Sequence, residues 1–442
     1  MKLRTLLIRV ISPALVLIAL IISFTLPETT ARHAQTLSYP PLVCPGALGG
    51  STEKISLPAK DLAVRSVNVN STALHTQKSW LLSGVSSPLY VSGNSGSEVA
   101  FETISGSSTA DTVCELGGAD QWFIGGSGGV TSQSEVEFVN SGLSPATVQI
   151  FPFNSKVGLA PITVNIKANS DYRARVSTIV PGDELIALHI VTDSGRVTSF
   201  LLDHRKSGLS DLGASFVTPV DQPQLQSFMA GLYAGGKTTT TKIRFLVPGN
   251  IDANVHLSIY TSDGGIFTPI GFDALQVTKQ KVVELPLPKV ALSGTFGLGI
   301  SSDQPVLASA ITQTQLGGAD FSWASQLKPL ARFRVNLNGN RANFFFIGKT
   351  IAVNAAWNDA SGKPQSILIS GQSSALWSPI GPVGLVTFTP LIKSDIYGGA
   401  TVLAATRGSG STGGLNYLPL LANQKVAGAT EAQADIQALT NN

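Results

Sequence analysis

The fold is decided by two stretches of sequence that align without gaps, FVNSGLSPATVQI at residues 138–150 and FLVPGNIDANVHL at residues 245–257. The Phe, Gly, Ala and Val of the first stretch are identical in the second. After the glycine, apolar residues alternate with polar ones at Ala146, Val148 and Ile150. An alternation with period two is typical of a strand that buries one face. Each stretch therefore predicts a strand, a turn and a second strand.

A glycine motif extends this repetition along the chain. The sequence LGGADQW at 116–122 returns as LGGADFSW at 316–323, and weaker copies are LGASF at 212–216 and GGLNY at 413–417. These copies lie roughly one hundred residues apart, which indicates an internal repeat. The motif predicts that Trp122 and Trp323 occupy equivalent positions. The predicted segments are a leader at 1–40, β modules at 41–120, 121–217, 218–322 and 323–420, and a C-terminal tail at 421–442.

Short apolar runs and frequent turn residues characterise each predicted module. Turns of the Asp-Ser-Gly type separate the runs, as at 193–195 and 262–265. About seven short strands in a hundred residues are typical of an immunoglobulin- or fibronectin-like β-sandwich. We therefore expect an all-β chain of tandem sandwiches that follows an N-terminal apolar helix. A β-propeller with two blades in each repeat is the alternative.

The N-terminus has the pattern of an export signal. Lys2, Arg4 and Arg9 precede a largely apolar stretch at 10–26. This stretch is slightly long for the core of a signal peptide and barely long enough for a transmembrane helix. A cleaved signal peptide and an uncleaved membrane anchor both remain open. In either case we expect the residues from about 33 onward to be extracytoplasmic, either membrane-anchored or secreted.

The charge distribution argues against nucleic acid as a partner. The formal net charge is +3, and it comes from the first 32 residues, where four basic residues accompany one acidic residue. The rest of the chain is electrically balanced. Because nucleic-acid binding depends on the neutralisation of phosphates, a body without excess positive charge is a poor candidate for it.

The chain contains two cysteines, Cys44 and Cys114. In an oxidising compartment an isolated pair is expected to form one disulfide bond. Two separate buried thiols are the alternative.

The sequence offers no motif for catalysis, a metal ion or a cofactor. The five histidines lack the spacing of a zinc site. The Gly-x-Ser-x-Gly pattern at 125–129 precedes an apparent strand, whereas a nucleophile elbow needs a helix there. We therefore predict no catalytic residues, no metal ligands and no cofactor, and we expect that the protein is not an enzyme.

Tryptophan residues are the candidate ligand surface. Their rings can stack on sugars, and the chain has five of them. Trp122 and Trp323 are expected to have structural roles at module junctions. Trp357 and Trp377 are free of the repeat motif, and they are the predicted ligand-binding residues.

Several of these motifs together resemble a known family. They are Cys44-Pro45, GGADQWFIGG at 117–126, FVNSG at 138–142 and ATV at 146–148. The chain resembles a family of exported actinobacterial proteins of unknown function. The resemblance implies an envelope protein, and it supplies no catalytic residues.

The sequence thus predicts a non-catalytic exported envelope protein. Its tandem β modules would act in binding or scaffolding, with cell-wall polysaccharide or another envelope protein as the partner and the membrane contacted through the N-terminal segment. An enzyme that acts on envelope glycans is the first alternative, and a purely structural spacer is the second.

Overall fold

A computed structural model shows that the described residues form β-strands and their connections, with one helix of four residues among them. The predicted apolar helix at the N-terminus and most of the C-terminal tail lie outside the residues that the structure describes. Within the described residues, no helix is long and apolar enough to cross a membrane. The structure describes residues 37–38, 40–48, 52–57, 62–68, 72–77, 81–92, 100–105, 108–156, 159–235, 239–288, 292–315, 319–337, 340–359, 361–380, 383–403, 414–421 and 426–427.

The first repeat contains eight strands in two antiparallel sheets. One sheet has the order β2-β7-β4-β5, and the other has the order β6-β3-β8-β9. Most connections therefore cross from one sheet to the other. After β1 (Leu37–Ser38), the strands are β2 (Leu42–Cys44), β3 (Thr52–Ser56), β4 (Leu62–Ser66), β5 (His75–Gln77), β6 (Leu81–Ser83), β7 (Leu89–Val91), β8 (Ala100–Ser105) and β9 (Ser108–Val113).

The second repeat has the same topology as the first. Its sheets have the orders β10-β15-β12-β13 and β14-β11-β16-β17, so that each strand number is raised by eight. One short helix, α1 (Val176–Ile179), lies between β14 and β15. The strands are β10 (Asp120–Ile124), β11 (Glu135–Asn140), β12 (Ala146–Phe153), β13 (Ile162–Ile166), β14 (Ser170–Arg175), β15 (Ala187–Ser194), β16 (Val197–Ser207) and β17 (Ser210–Val217).

The third repeat keeps this order although two of its strands are fused. The first half of β24 pairs with β18 and β20, and its second half pairs with β19 and β25. β24 thus serves as the sixth and seventh strands of the repeat. The strands are β18 (Gln224–Ala234), β19 (Thr240–Leu246), β20 (Ala253–Tyr260), β21 (Ile266–Phe267), β22 (Leu275–Val277), β23 (Val282–Pro286), β24 (Gly294–Thr314) and β25 (Asp320–Ser325).

The fourth repeat has the same pairing, although β27 and β28 each span two of the strand positions. β27 pairs with β30 through its first half and with β29 through its second half, and β28 runs beside it along both halves. The strands are β26 (Phe333–Asn336), β27 (Arg341–Asn358), β28 (Pro364–Trp377), β29 (Leu385–Pro390), β30 (Tyr397–Leu403) and β31 (Leu415–Pro419), and β32 (Val426–Ala427) follows the repeat.

The two sheets of a repeat share one core. In β12, Ala146, Val148 and Ile150 are buried, and the residues between them are partly exposed. These side chains belong to the same apolar cluster as Val136 and Phe138 of β11, which lies in the other sheet. The strand, turn and strand expected from the sequence at 138–150 are therefore β11, its turn and β12.

The all-β prediction is confirmed, and its finer forms are not shown. An immunoglobulin constant domain has seven strands, with four in one sheet and three in the other. Each repeat here has a different strand order, with four strand positions in each of two sheets. The propeller alternative is not supported either, because the sheets of a repeat lie in pairs over shared cores.

One predicted equivalence is wrong. Trp122 lies in β10, the first strand of the second repeat, whereas Trp323 lies in β25, the last strand of the third repeat. The glycine motif therefore marks two different positions. The counterpart of Trp323 is Phe216, because Phe216 pairs with Leu202 as Trp323 pairs with Ile311.

The last strands of the four repeats adjoin one another in a closed order. β9 lies beside β17, β17 beside β25, β25 beside β31, and β31 beside β9. The Trp323 amide donates to Ser215 Oγ at 2.9 Å, and the Leu415 amide donates to Asp320 Oδ2 at 2.8 Å. Asn416 Nδ2 donates to Thr109 Oγ1 at 3.0 Å, which joins the fourth repeat to the first. Residues 38–426 accordingly form one compact unit.

Candidate ligand groove

A partly buried ionic network joins the first repeat to the second. Arg173 of β14 lies 2.8 Å from the carboxylate of Glu137 and 2.9 Å from that of Asp171. The Arg173 guanidinium also donates to the carbonyl of Ala47, and the Gly46 amide donates to Glu137 Oε2 at 2.9 Å. These contacts hold the segment after β2 against the second repeat.

Two carboxyl groups at this junction are buried deeply enough to change their titration. Burial raises the pKa of Glu137 to about 8, although the charge of Arg173 opposes the shift. Burial also raises the pKa of Glu53 to about 8, again against the charge of Arg173. Glu53 is 1% exposed, and neither of its carboxyl oxygens has a hydrogen-bond partner. The junction therefore favours protonated carboxyl groups.

An open groove of about 570 Å³ lies at the same junction. The first and second repeats each contribute one side of the groove. Arg65 and Tyr90 belong to the first repeat. No acidic residue lines the groove within the described part of the chain. The lining residues are Arg65, Thr72, Leu74, Tyr90, Ser141, Gly142, Leu143, Ser144, Gly195 and Arg196.

Arg65 is the most constrained side chain of the groove. It lies in β4 and is 7% exposed. Its guanidinium stacks on the ring of Tyr90, 4.5 Å from the ring centroid, and donates to Asn169 Oδ1 and to the carbonyl of Ser141. Burial lowers the pKa of Arg65. Among the described residues no carboxylate pairs with it, so that its charge is held in place without neutralisation.

Two further groups complete the polar side of the groove. Ser141 is 4% exposed, and its Oγ atom has no hydrogen-bond partner. Arg196 is exposed at the end of the turn, directly before β16, and no described carboxylate forms an ion pair with it. The groove therefore has two arginines in its lining, and the unpartnered Ser141 hydroxyl is buried beside it. None of the described residues in its lining supplies a carboxyl group, whereas glycoside hydrolysis requires a pair of them.

The two predicted ligand-binding tryptophans lie in the fourth repeat, away from this groove. Trp377 is 8% exposed and belongs to the core, where it stacks on Phe344 with 5.3 Å between ring centroids. Trp357 is half-buried, and its ring centroid lies 5.1 Å from that of Trp377. The structure brings the two rings together, but it leaves little of Trp377 for a ligand.

Trp377 also borders a second open groove, of about 430 Å³, beside β28. Asp263 lines it from the third repeat, and the exposed side chains of Leu368 and Leu376 lie along the strand. None of the described residues that line this groove has a buried polar side-chain atom without a partner. It is a weaker candidate than the groove at Arg65.

Carboxyl groups do gather where the last strands meet, but they are enclosed. Burial raises the pKa of Asp320 to about 7, although the amides of Leu415 and Phe321 donate to it. Asp211 is also partly buried, but the hydrogen bond with His204 lowers its pKa to about 2. Asp320 is 9% exposed and His204 is 1% exposed. The Asp320 carboxylate joins the third repeat to the fourth through the Leu415 amide.

The other site predictions concern a disulfide and a metal. Cys44 and Cys114 form a disulfide bond, as predicted. Within the described ranges, no group of three or more His, Cys, Asp or Glu side chains could hold a metal ion.

The sequence did not identify the groove residues. The contacts of Arg65 join residues that are 76 and 104 positions apart, and no local pattern predicts such pairs. The sequence did predict the local structure around two of these residues. Ser141 belongs to one of the repeated stretches, and Arg196 follows a predicted turn.

These features define a class: an all-β protein of four like repeats, closed in a ring, with a cationic groove at one junction. The chain belongs to a family of unknown function, DUF5719, whose family model matches residues 91–368. None of the curated proteins compared with the chain matches it significantly.

Solved structures share only distant features with the chain. Thermotoga maritima 1070 is 12% identical, with a TM-score of 0.22, over 24% of this chain and 97% of that one. A tetra-tandem repeat from the extending region of a large adhesion protein is 10% identical, with a TM-score of 0.12, over 87% and 95% of the two chains. An α-L-rhamnosidase of Streptomyces avermitilis is 8% identical, with a TM-score of 0.13, over 87% and 57%.

Proposed function

We propose that this protein is an exported, non-catalytic binding module of the cell envelope. Its ligand is an envelope glycan or another envelope component, bound in the groove between the first and second repeats. The four repeats serve as the scaffold that holds this groove. A tether to the membrane through the N-terminal segment is part of the proposal.

The observation that carries the proposal is the groove at Arg65. Binding sites are concave and place a few fixed polar groups among other contacts. Arg65 is fixed by Tyr90, Asn169 and Ser141, so that little side-chain freedom remains to be lost on binding. Exposed Leu143 and Leu74 add apolar surface at the rim.

The two alternative functions, a glycan-active enzyme and a structural spacer, have less support. A glycan-active enzyme would need acidic groups in an open cleft, and none of the described residues that line the groove is acidic. A structural spacer would span a longer distance if its repeats formed an extended array, whereas the last strands of these repeats adjoin one another in a closed order.

Binding is tested with the full chain and a panel of purified envelope polysaccharides by isothermal titration calorimetry. Ser144→Trp fills the groove from an exposed lining position, and we expect it to abolish binding. The matched control is Ser366→Trp, which adds the same ring at an exposed position in the fourth repeat. Binding to no polysaccharide, or equal loss in both variants, would contradict the proposal.

Export is tested through the disulfide bond. Disulfides persist in oxidising compartments outside the cytoplasm. We expect Cys44 and Cys114 to be oxidised in protein taken from its own cells, as measured by thiol labelling and mass spectrometry. Free thiols in freshly quenched cells would argue against an extracytoplasmic location.

A further inference from the structure

We infer that the groove selects an acidic glycan, whose carboxylate or phosphate group lies between Arg65, Ser141 Oγ and Arg196. The glycan part of this assignment rests on the proposed function. The acidic part rests on the structure of the groove.

The first argument is the unpaired charge of Arg65. Three other arginines at the junctions between repeats each have a carboxylate partner. Arg173 pairs with Asp171 at 2.9 Å, Arg205 with Asp203 at 2.7 Å and Arg244 with Glu284 at 2.8 Å. A buried cation is costly unless an anion accompanies it. Arg65 is 7% exposed and has no such partner among the described residues, so a ligand can supply the missing anion.

The second argument is the orphaned hydroxyl of Ser141. Buried polar atoms in folded proteins nearly always have a hydrogen-bond partner. The Ser141 carbonyl accepts a hydrogen bond from Arg65, so the serine and the guanidinium are adjacent. Ser141 lines the groove, and its Oγ atom is buried there without a hydrogen-bond partner. A hydroxyl beside a guanidinium is a donor pair that suits an oxyanion.

The third argument is the fixed position of Arg196. Gly195 precedes it with φ of +89°, and a Cβ atom at Gly195 would lie 2.5 Å from Cβ of Ala146. The turn is therefore pressed against the start of β12, and only glycine fits there. The Arg196 side chain begins from this fixed point at the rim of the groove, where it can pair with the outer charge of a ligand.

The experiment compares acidic and neutral forms of one sugar. The full chain is titrated with oligogalacturonate and with the same oligomer after methyl esterification, which removes the charge and keeps the sugar. Phosphomannan and mannan form the corresponding pair for phosphate. We expect at least one acidic form to bind at least tenfold more tightly than its neutral partner. We also expect its affinity to fall as salt rises, because the ion pairs are partly exposed.

Variants assign the binding to these residues. Arg196→Ala and Ser141→Ala should each weaken binding of the acidic oligomer about three- to tenfold. The control is Arg332→Ala, which removes an exposed arginine of the fourth repeat and should change nothing. Equal affinity for both members of each pair, or an unchanged affinity in Arg196→Ala, would overturn the inference.

The outcomes separate this inference from the proposed function. If neutral and acidic sugars bind equally and Ser144→Trp blocks both, the groove binds glycans and the acidic preference is wrong. If no sugar of either pair binds, the acidic-glycan assignment is wrong, and the polysaccharide panel then decides the proposed function. Oligoglutamate of equal charge is the third probe. If it binds as tightly as the acidic sugar, the assignment to a glycan is overturned.

Discussion

Two junctions between repeats use an arginine on an aromatic ring in different ways. At the first junction, Arg65 lies over Tyr90 at 4.5 Å and lines an open groove. At the second junction, which joins the second repeat to the third, Arg244 lies over Trp323, 4.8 Å from the ring centroid, and is 1% exposed. Both guanidiniums are stacked and nearly buried, so the difference lies in their other partners.

Arg244 has every partner that a buried guanidinium needs. Its Nη2 and Nε atoms donate to Glu284 at 2.8 and 3.1 Å, and its Nη1 atom donates to the carbonyl of Gly126 at 2.9 Å. Burial lowers the pKa of Arg244, although Glu284 opposes the shift. Arg65 has two neutral acceptors and, among the described residues, no carboxylate partner. The comparison separates a junction that is complete by itself from one that has room for an external anion.

The largest expected effect is the loss of the Arg244 side chain. Arg244→Met keeps much of the side-chain volume, leaves the carbonyl of Gly126 without its Arg244 donor and leaves Glu284 with Lys242 as its ion-pair partner. Removing one member of a buried pair costs about 3–5 kcal/mol of unfolding free energy. Urea denaturation of the full chain should show this loss. A change below about 1 kcal/mol would mean that the second junction does not depend on the pair.

The next effect is a difference between the two junctions in their response to pH. Burial raises the pKa of Glu53 and of Glu137 to about 8. The native state therefore holds these protons more tightly than the unfolded chain does, and the stabilisation is lost as pH rises from the unfolded value through about 8. We expect the thermal midpoint of unfolding to fall by several degrees between pH 5.5 and pH 9.

The second junction responds in the opposite direction. Burial would raise the pKa of Asp203, but Arg205 and Trp323 hold it below its usual value. Glu284 is likewise buried, and Arg244 lowers its pKa. The stability from these groups is present above their unfolded pKa values and is lost only as pH falls through the lowered values. Their contribution should not change between pH 5.5 and pH 9.

Glu53→Gln tests how much of the fall in thermal midpoint at alkaline pH comes from Glu53. The substitution keeps the shape of the side chain and removes its titration, so the fall in thermal midpoint between pH 5.5 and pH 9 should become smaller. Asp273→Asn, at an exposed position of the third repeat, should leave the fall unchanged. An identical pH profile in the Glu53 variant and the wild type would show that Glu53 titrates normally.

The smaller effect on stability is expected at Arg65 itself. Arg65→Met removes two hydrogen bonds to neutral acceptors, and it also removes the cost of an unpaired buried charge. The free energy of unfolding should fall by only about 1 kcal/mol, although the residue is nearly as buried as Arg244. Urea denaturation provides the measurement. A loss equal to that of Arg244→Met would show that the protein already satisfies the charge of Arg65 as fully as it satisfies that of Arg244.

The sequence predicted local features of this architecture better than the contacts between repeats. The alternation at Ala146, Val148 and Ile150 has its cause within β12, because every second residue faces the shared core. The pairing of Cys44 with Cys114 followed from there being only two cysteines. The Trp122 and Trp323 equivalence failed because similar short motifs occur at different positions of the repeat. Arg244 has its carboxylate partner 40 positions away, whereas the neutral acceptors of Arg65 are 76 and 104 positions away. No spacing in the sequence shows which of the two arginines is neutralised.

Arg196→Ala is expected to have the smallest effect on stability, and it sharpens the comparison most. Arg196 is exposed and has no ion pair with a described carboxylate, so the free energy of unfolding should change by less than about 0.5 kcal/mol. Binding of the acidic oligomer should nevertheless weaken, since the charge at the rim is lost. A residue that matters to the ligand and not to the fold is what an open junction requires. If calorimetry shows unchanged binding while urea denaturation shows a loss of stability, Arg196 supports the turn, and the first junction is closed in the same sense as the second.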